Sequence, residues 1–181
     1  YAARFKKPMI ISTGMADMRD IAEAVAVIRK AGNTKIIVFQ CTTDYPAQLR
    51  DVNLRAMRTL RDTFRVVVGY SDHTIGIESS LVAVALGASV LEKHLTLNNA
   101  MSGPDHKASA DPKDFKRYVQ AVRDAEIILG SPKKMIAASA RPYMPLVLKS
   151  VVARKPIRKG EKLTKENLAI KRPGSGLPPK F

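Results

Sequence analysis

The sequence predicts an α/β fold built from parallel βα units. Four short apolar runs, each followed by a polar cluster, alternate with segments whose apolar residues recur at helical spacing. Continuous apolar strands alternating with amphipathic helices are typical of a parallel sheet with crossover helices. A complete (β/α)₈ barrel usually takes about 250 residues, so a barrel within these 181 residues would be incomplete.

The first βα unit covers residues 8–32. Residues 8–12 form its predicted strand, and either Asp17 or Asp20 is a suitable N-cap for the helix that follows. Gly32 is the expected stop of that helix. The apolar face of the helix is formed by Ile21, Val25 and Ile28.

The second and third units repeat the pattern. Residues 35–40 are the second strand, and the polar segment 41–46 follows it. The next helix has its apolar residues at Leu54, Met57, Leu60 and Phe64. Residues 66–69 are the third strand, and a helix rich in small residues runs over 78–86, with Gly87 just past its end.

The fourth unit places its strand at residues 89–91. Its helix begins after Asp111, which can cap it, with Pro112 in the first turn and Gly130 after the last. An apolar stripe on this helix indicates a face packed in the core. The stripe consists of Val119, Val122, Ile127 and Ile128.

The βα pattern breaks after residues 131–132, where prolines punctuate short segments. Residues 151–153 and 168–170 are predicted strands of a small β-rich module. We therefore expect a βα domain over residues 1–136, a linker over 137–146 and a second domain over 147–181.

Composition indicates a globular chain, with 45% hydrophobic residues and no tryptophan. The single Cys41 cannot form an internal disulfide, and the sequence shows neither a membrane-spanning run nor the form of a signal peptide. These features predict a soluble protein of the reducing cytoplasm.

The net charge of +15 is concentrated near the C-terminus, where residues 141–181 carry eleven Lys or Arg and only two Glu. Such a segment could bind nucleic acid, a membrane surface, an acidic partner or an anionic small substrate. A positive charge attracts any of these anions and does not by itself identify the ligand. Few aromatic residues interleave with these charges, so stacking on single-stranded nucleic acid has little support.

Two histidines follow predicted strands, His73 after the third and His94 after the fourth. At one edge of a parallel sheet both could reach a single divalent cation, but hydrogen bonding within the loops explains them equally well. Ser71 and Lys93 lie beside them and would suit a phosphate or a carboxylate, with ordinary loop polarity as the alternative.

Three further residues are candidates on chemical grounds. Asp105 could bind a polyol or assist proton transfer, although a turn-forming role is commoner for such an aspartate. Tyr45 could pack against a sugar or donate its hydroxyl, and packing alone is its alternative. Arg172 could reach an anionic or hydroxylated ligand, whereas a surface position is the default for arginine.

Taken together, the polar segments resemble the sialic acid synthase family, whose members condense phosphoenolpyruvate with N-acetylmannosamine or a related sugar. The matching segments follow the order and spacing of the family. They are residues 7–15 (KPMIISTGM), 40–46 (QCTTDYP), 69–74 (GYSDHT), 83–88 (AVALGA), 92–94 (EKH) and 103–109 (GPDHKAS), and then 171–176 (KRPGSG), which resembles the antifreeze-like (SAF) domain that follows the barrel.

The resemblance implies the second half of a (β/α)₈ TIM barrel followed by part of an SAF domain. It also implies a site. His73 and His94 would hold Mn²⁺, or Mg²⁺ or Co²⁺, as a Lewis acid. Glu92, Asp105 and Lys93 would be catalytic, and the residues that bind phosphoenolpyruvate or the amino sugar would be Ser71, Thr43, Tyr45 and Arg172.

The resemblance further implies a homodimer in which the SAF module of one subunit, with Arg172, covers the barrel of the other. It implies small-molecule substrates, with no nucleic acid or membrane as partner. Thr43 stands where some members of the family carry Asn, and Lys93 where some carry Arg, so the particular sugar is left open.

The strands of the first half of such a barrel have no counterpart in these residues. We therefore expect either a fragment or a relative that assembles its barrel from more than one chain. The strands at 8–12 and 89–91 would have free edges and would favour self-association. Three alternatives stay open: an inactive sugar- or metal-binding remnant, another metal-dependent aldolase and a basic polyanion-binding module.

Overall fold

The structure, a computed structural model, describes residues 1–180 and divides at Gly130 into two compact units. The first unit contains a four-stranded parallel sheet in the order β1-β2-β3-β4. Its strands are β1 (Met9–Ser12), β2 (Ile36–Cys41), β3 (Val67–Asp72) and β4 (Val90–Lys93). Its helices are α1 (Met18–Lys30), α2 (Ala56–Phe64), α3 (Glu78–Ala85) and α4 (Pro112–Leu129).

The predicted parallel α/β architecture is thus confirmed, and β1 and β4 are the edge strands among the described residues. The third strand differs from its prediction, because it continues to Asp72 instead of ending at Gly69. Ser71 and Asp72 therefore belong to the ladder itself and not to the loop after it. Their positions are set by strand register, which pairs Ser71 with Glu92 and Asp72 with Lys93.

Local sequence signals account for the helix ends. Asp17 accepts hydrogen bonds from the backbone N–H groups of Arg19 and Asp20, and the Asp20 carboxylate accepts one from the Asp17 N–H at 3.0 Å. This reciprocal capping box satisfies backbone donors that the helix cannot use. At α4, Asp111 accepts from the Asp114 N–H at 2.7 Å, as predicted.

One hydrophobic core joins helices to strands. Alternate residues of β2 and β3 contribute Ile36, Val38, Val68 and Tyr70 to a cluster with side chains from α1, α2 and α3. Sequential strand order with right-handed crossovers places successive helices on the same face of a sheet. The opposite face contains Cys41 and Ser71, which lie near the carboxyl ends of their strands.

The predicted core stripe on α4 is wrong for most of its residues. The exposed fractions are 40% for Val119, 77% for Ile127 and 82% for Ile128, and only Val122 is half-buried. Helical spacing shows that these residues share a face, but a face is buried only where another element covers it. Tyr118 is the buried side chain of this helix.

The second unit begins at Ser131. It contains the four-residue helix α5 (Met144–Val147) and an antiparallel pair, β5 (Ser150–Ala153) and β6 (Leu168–Lys171). The two predicted short strands are confirmed. Nowhere in residues 1–180 is there a helix with the length and apolar character needed to cross a membrane.

Candidate active site

The candidate site lies at the carboxyl edge of the parallel sheet. Cys41 pairs with Ser71, and Ser71 pairs with Glu92, across three neighbouring strands. Because the strands are parallel and in register, the residues that follow them emerge at the same edge. His73 and His94 are such residues.

Three aromatic side chains lie close together at this edge of the sheet. The ring centroids of His73 and His94 are 5.1 Å apart in an edge-to-face arrangement. Tyr45 lies 4.2 Å from the His73 ring and 5.3 Å from the His94 ring. The structure therefore brings together three predicted site residues that are separated by up to about fifty positions in sequence.

Contacts at Nδ1 fix the orientation of the His73 ring. Its Nδ1 lies 2.8 Å from the carbonyl oxygen of Thr42, which can only accept a hydrogen bond. Nδ1 must therefore carry the hydrogen, which leaves the lone pair of the neutral ring on Nε2. Cys41 Sγ lies 3.8 Å from the same Nδ1, so it also packs behind the ring. Neither contact was predicted from the sequence.

The loop that carries Tyr45 is tied to the same histidine. The Ala47 N–H donates to the His73 carbonyl oxygen at 2.9 Å. This bond holds the aromatic ring of Tyr45 over the imidazole. Burial raises the pKa of Tyr45, and the nearby Asp105 and Glu92 carboxylates add to the effect, so its hydroxyl keeps a proton to donate.

Ser71 and Glu92 are in direct contact. The Ser71 hydroxyl donates to Glu92 Oε1 at 2.7 Å and lies 3.3 Å from His73 Nε2. Ser71 is buried whereas Glu92 is exposed. A buried hydroxyl and an accessible carboxylate thus stand beside the first histidine.

Asp105 approaches the second histidine, with Asp105 Oδ2 3.9 Å from His94 Nδ1. A short parallel bridge between Leu95 and Ala110 fixes the far end of the intervening loop. Ala110 donates its N–H to the His94 carbonyl oxygen at 2.9 Å. The backbone, more than the long carboxylate–imidazole contact, brings Asp105 to the site.

Lys93 is a predicted catalytic residue that the structure does not bring to this group. Side chains alternate across a strand, so Lys93 points to the face opposite Glu92. Its ammonium is buried, with 4% of the side chain exposed, and lies 3.1 Å from Asp72 Oδ2. It also donates to the carbonyl oxygen of Thr74.

Asp72 is the centre of a buried polar network that the sequence analysis did not identify. Its carboxylate accepts hydrogen bonds from the Ser80 hydroxyl at 2.7 Å and from the Thr74 hydroxyl at 2.8 Å. The network extends from Ser80 to the hydroxyl of Tyr118 at 2.8 Å. The sequence analysis missed it because the third strand was predicted to end at Gly69, which placed Asp72 in a loop; within a buried strand such a charge requires partners.

Burial by itself raises the pKa of Asp72, but the hydrogen bond from Ser80, the Lys93 charge and the bonds from Thr74 outweigh it and hold that pKa below its ordinary value. Burial raises the pKa of Tyr118 to about 12. Burial and the charge of Asp72 also raise the pKa of Tyr70. At neutral pH the network therefore consists of a carboxylate surrounded by neutral hydroxyl donors and one ammonium.

Thr43 and Arg172 are the two remaining predicted residues. Thr43 is exposed in the loop after β2, and its hydroxyl packs where a side chain on Gly14 would otherwise be. Arg172 is an exposed residue of the second unit and donates from Nε to the Val147 carbonyl oxygen at 3.1 Å. Each is thus placed within its own unit.

A divalent cation fits part of this arrangement. Imidazole nitrogens bind several divalent transition-metal ions, and Nε2 of His73 has its lone pair available. Mn²⁺ prefers oxygen ligands, which water, substrate or a nearby carboxylate would have to add. Within the residues that the structure describes, no group of three or more His, Cys, Asp or Glu side chains is arranged to hold a metal ion. A cation here would have two protein ligands, with water or substrate oxygens at its other positions.

Comparison with protein families gives two matches. Residues 1–134 match the NeuB family, and residues 149–181 match the SAF domain. The chain is 44% identical over 183 residues to the N,N'-diacetyllegionaminic acid synthase of Legionella pneumophila, covering 99% of this chain and 51% of that protein. It is 41% identical over 170 residues to human N-acetylneuraminate-9-phosphate synthase, covering 93% of this chain and 47% of that protein.

Solved structures show the same likeness. The N-acetylneuraminic acid (sialic acid) synthetase of Leptospira borgpetersenii, solved in complex with citrate, aligns with a TM-score of 0.71 and 35% identity. The alignment covers 80% of this chain and 50% of that one. The chain thus spans about half the length of the curated relatives it matches.

Proposed function

This chain belongs to the NeuB family, and on that basis we propose that it provides the metal- and sugar-binding part of a nonulosonic acid synthase. Its four strands would be the second half of a (β/α)₈ barrel. The substrates would be phosphoenolpyruvate, water and N-acetylmannosamine or a related N-acylated hexose. The products would be a sialic-type acid and inorganic phosphate.

The observation that carries the proposal is the convergence of His73, His94 and Tyr45 at the carboxyl edge of the sheet. Glu92, Ser71 and Asp105 surround these rings with oxygen atoms. An open-chain amino sugar presents hydroxyls and an aldehyde, which such a group can bind through hydrogen bonds.

The reaction balances without an oxidant or reductant. A bond forms between C3 of phosphoenolpyruvate and the aldehyde carbon of the sugar, whose oxygen gains a proton. Water adds its oxygen to C2, and phosphate leaves as the C2–O bond breaks. A divalent ion held by His73 and His94, Mn²⁺ in the first instance, would supply Lewis acidity toward the aldehyde oxygen.

The side chains of this unit then have separate tasks. Ser71, with Thr43, would bind the phosphate end of phosphoenolpyruvate. Tyr45 and Asp105 would bind and orient the sugar, and the exposed carboxylate of Glu92 would accept or return a proton. The Thr42 carbonyl holds His73 in the tautomer that presents Nε2.

A partner is needed to complete such a barrel, because the free edges of β1 and β4 leave backbone groups unpaired. We propose that a second copy or the remainder of a longer protein covers them. In a homodimer, the SAF module of one subunit would bring Arg172 to the substrate bound by the other.

The test is phosphate release from phosphoenolpyruvate by the 181-residue chain with N-acetylmannosamine and Mn²⁺. Release that requires the sugar and stops with a chelator or with His94→Ala would support the proposal. His106→Asn is the matched control, because His106 contacts Thr96 at 2.7 Å outside the ring cluster and Asn can replace that bond. Sugar-independent release, or release untouched by His94→Ala, would contradict it.

Metal binding is measured in parallel by calorimetry. If no phosphate is released but Mn²⁺ binds through His73 and His94, the chain is the metal-holding part of a synthase that is inactive without its remainder. If Mn²⁺ does not bind, the proposed site is wrong.

A further inference from the structure

A buried ion pair joins the two strands directly below the two histidines. Asp72 immediately precedes His73 and Lys93 immediately precedes His94, and these two charged residues are register partners in the β3–β4 ladder. Their side chains are 0% and 4% exposed, and their charged atoms are 3.1 Å apart. The pair lies on the face of the sheet opposite the imidazoles.

The same contacts hold the backbone on both sides of His73. The Asp72 carboxylate accepts from the Thr74 N–H at 2.9 Å and from its hydroxyl at 2.8 Å. The Lys93 ammonium donates to the Thr74 carbonyl oxygen. One ammonium is thereby bonded to the residue before His73 and to the residue after it.

We propose that the Lys93–Asp72 pair is a positioning device that sets the separation and orientation of His73 and His94 for metal binding. This inference rests on the proposed function, because it concerns the same metal site. In this role neither residue would touch the metal or a substrate. Each acts through the histidine that follows it in the chain.

The chemistry of a two-histidine site explains why such a device matters. With only two protein ligands, the affinity depends on how closely the two nitrogen lone pairs are held in a binding arrangement. Ladder hydrogen bonds end at Asp72 and Lys93, so both histidines lie beyond the regular sheet. A buried ion pair at that point restricts the movement that a loop would otherwise have.

Single and paired substitutions distinguish an effect on the positions of the two histidines from a general loss of folding stability. Lys93→Met leaves the Asp72 charge buried without its partner, so we expect a loss of stability as well as of affinity. Asp72→Asn with Lys93→Met removes both charges and should recover stability, because a neutral pair has no unpaired buried charge. If the pair positions the histidines, the double variant still binds Mn²⁺ about 10–100-fold more weakly than the wild type.

The measurement is the dissociation constant for Mn²⁺ by calorimetry on the 181-residue chain, with thermal unfolding of each variant recorded alongside. Tyr118→Phe is the matched control, because it removes the hydrogen bond to Ser80 from the same network without touching the residues that flank the histidines. We expect its affinity to stay within about twofold of the wild type.

A folded double variant with wild-type affinity would overturn the inference. If either variant with Lys93→Met fails to fold, the Mn²⁺ affinity of Asp72→Asn alone is the test. This substitution keeps the size of the side chain, removes its charge and replaces one acceptor oxygen with a donor, so it breaks the ion pair with Lys93. We expect about a tenfold loss of affinity, and no loss overturns the inference. A wild-type chain that binds no Mn²⁺ would instead overturn the proposed metal site itself.

Discussion

The hydroxyl of Ser71 lies between two acceptors, 2.7 Å from Glu92 Oε1 and 3.3 Å from Nε2 of His73. A serine hydroxyl has one proton, and the shorter contact to a carboxylate takes it. Nε2 of His73 therefore receives no hydrogen bond from Ser71. Glu92 thus keeps the imidazole lone pair available to a metal ion.

Glu92→Gln should weaken Mn²⁺ binding. Without the carboxylate charge, the Ser71 proton can turn to His73 Nε2 and compete with the metal, which predicts about a tenfold rise in the dissociation constant. Calorimetry measures the Mn²⁺ dissociation constant of this variant. Glu126→Gln, an exposed substitution on α4, is the control, and equal affinities for the two variants would contradict the explanation.

Asp72 should make stability depend on pH in the acid range. Its pKa in the folded chain lies below the ordinary value of 3.8, so between the two values the unfolded chain binds more protons. The stabilisation from Asp72 is therefore present above about pH 4 and is lost as pH falls through the folded pKa. Urea unfolding of the wild type and Asp72→Asn from pH 6 to pH 3 measures this, and parallel pH profiles would rule it out.

Gly69 should not tolerate a side chain. A Cβ there would meet the Phe39 ring at 2.5 Å and the carbonyl oxygen of Val90, both within the sheet. We expect Gly69→Ala to lower the free energy of unfolding by about 1–3 kcal/mol. Gly14→Ala is the comparison, since its Cβ would displace mainly the movable Thr43 hydroxyl. Chemical denaturation should rank Gly69→Ala as the more damaging, and the reverse order would refute this account.

Self-association should depend on the free edge of β1. Met9 donates its N–H to the carbonyl oxygen of Lys35, on the β2 side of the strand. Because successive N–H groups of a strand point to opposite sides, the N–H of Ile10 points toward the free edge. Light scattering of the wild type should show a dimer or a larger species, and Ile10→Pro should shift it toward the monomer by removing that donor. Ile10→Val keeps the N–H and should behave as the wild type. A wild-type chain that is monomeric at micromolar concentration would argue against closure through this edge.

Much of the fold was predictable because its signals are local. The capping residues Asp17 and Asp111 and the terminal Gly87 mark helix ends through hydrogen bonds and backbone angles of neighbouring residues. Short continuous apolar runs and apolar residues at period-3.6 spacing then distinguish strands from helices. His73 and His94 each lie in the polar segment after a predicted strand, and parallel strands end at a common edge, so their shared location was predictable as well.

The sequence by itself therefore determined the order of βα units, their parallel pairing and the family resemblance. Only the tertiary structure decided that Lys93 contacts Asp72 and the Thr74 carbonyl oxygen and not the ring cluster, and that most of the α4 stripe is exposed. The reason is physical: strand register and helix coverage are set by contacts between residues distant in sequence. No spacing rule within one segment specifies which residue of another segment it will meet.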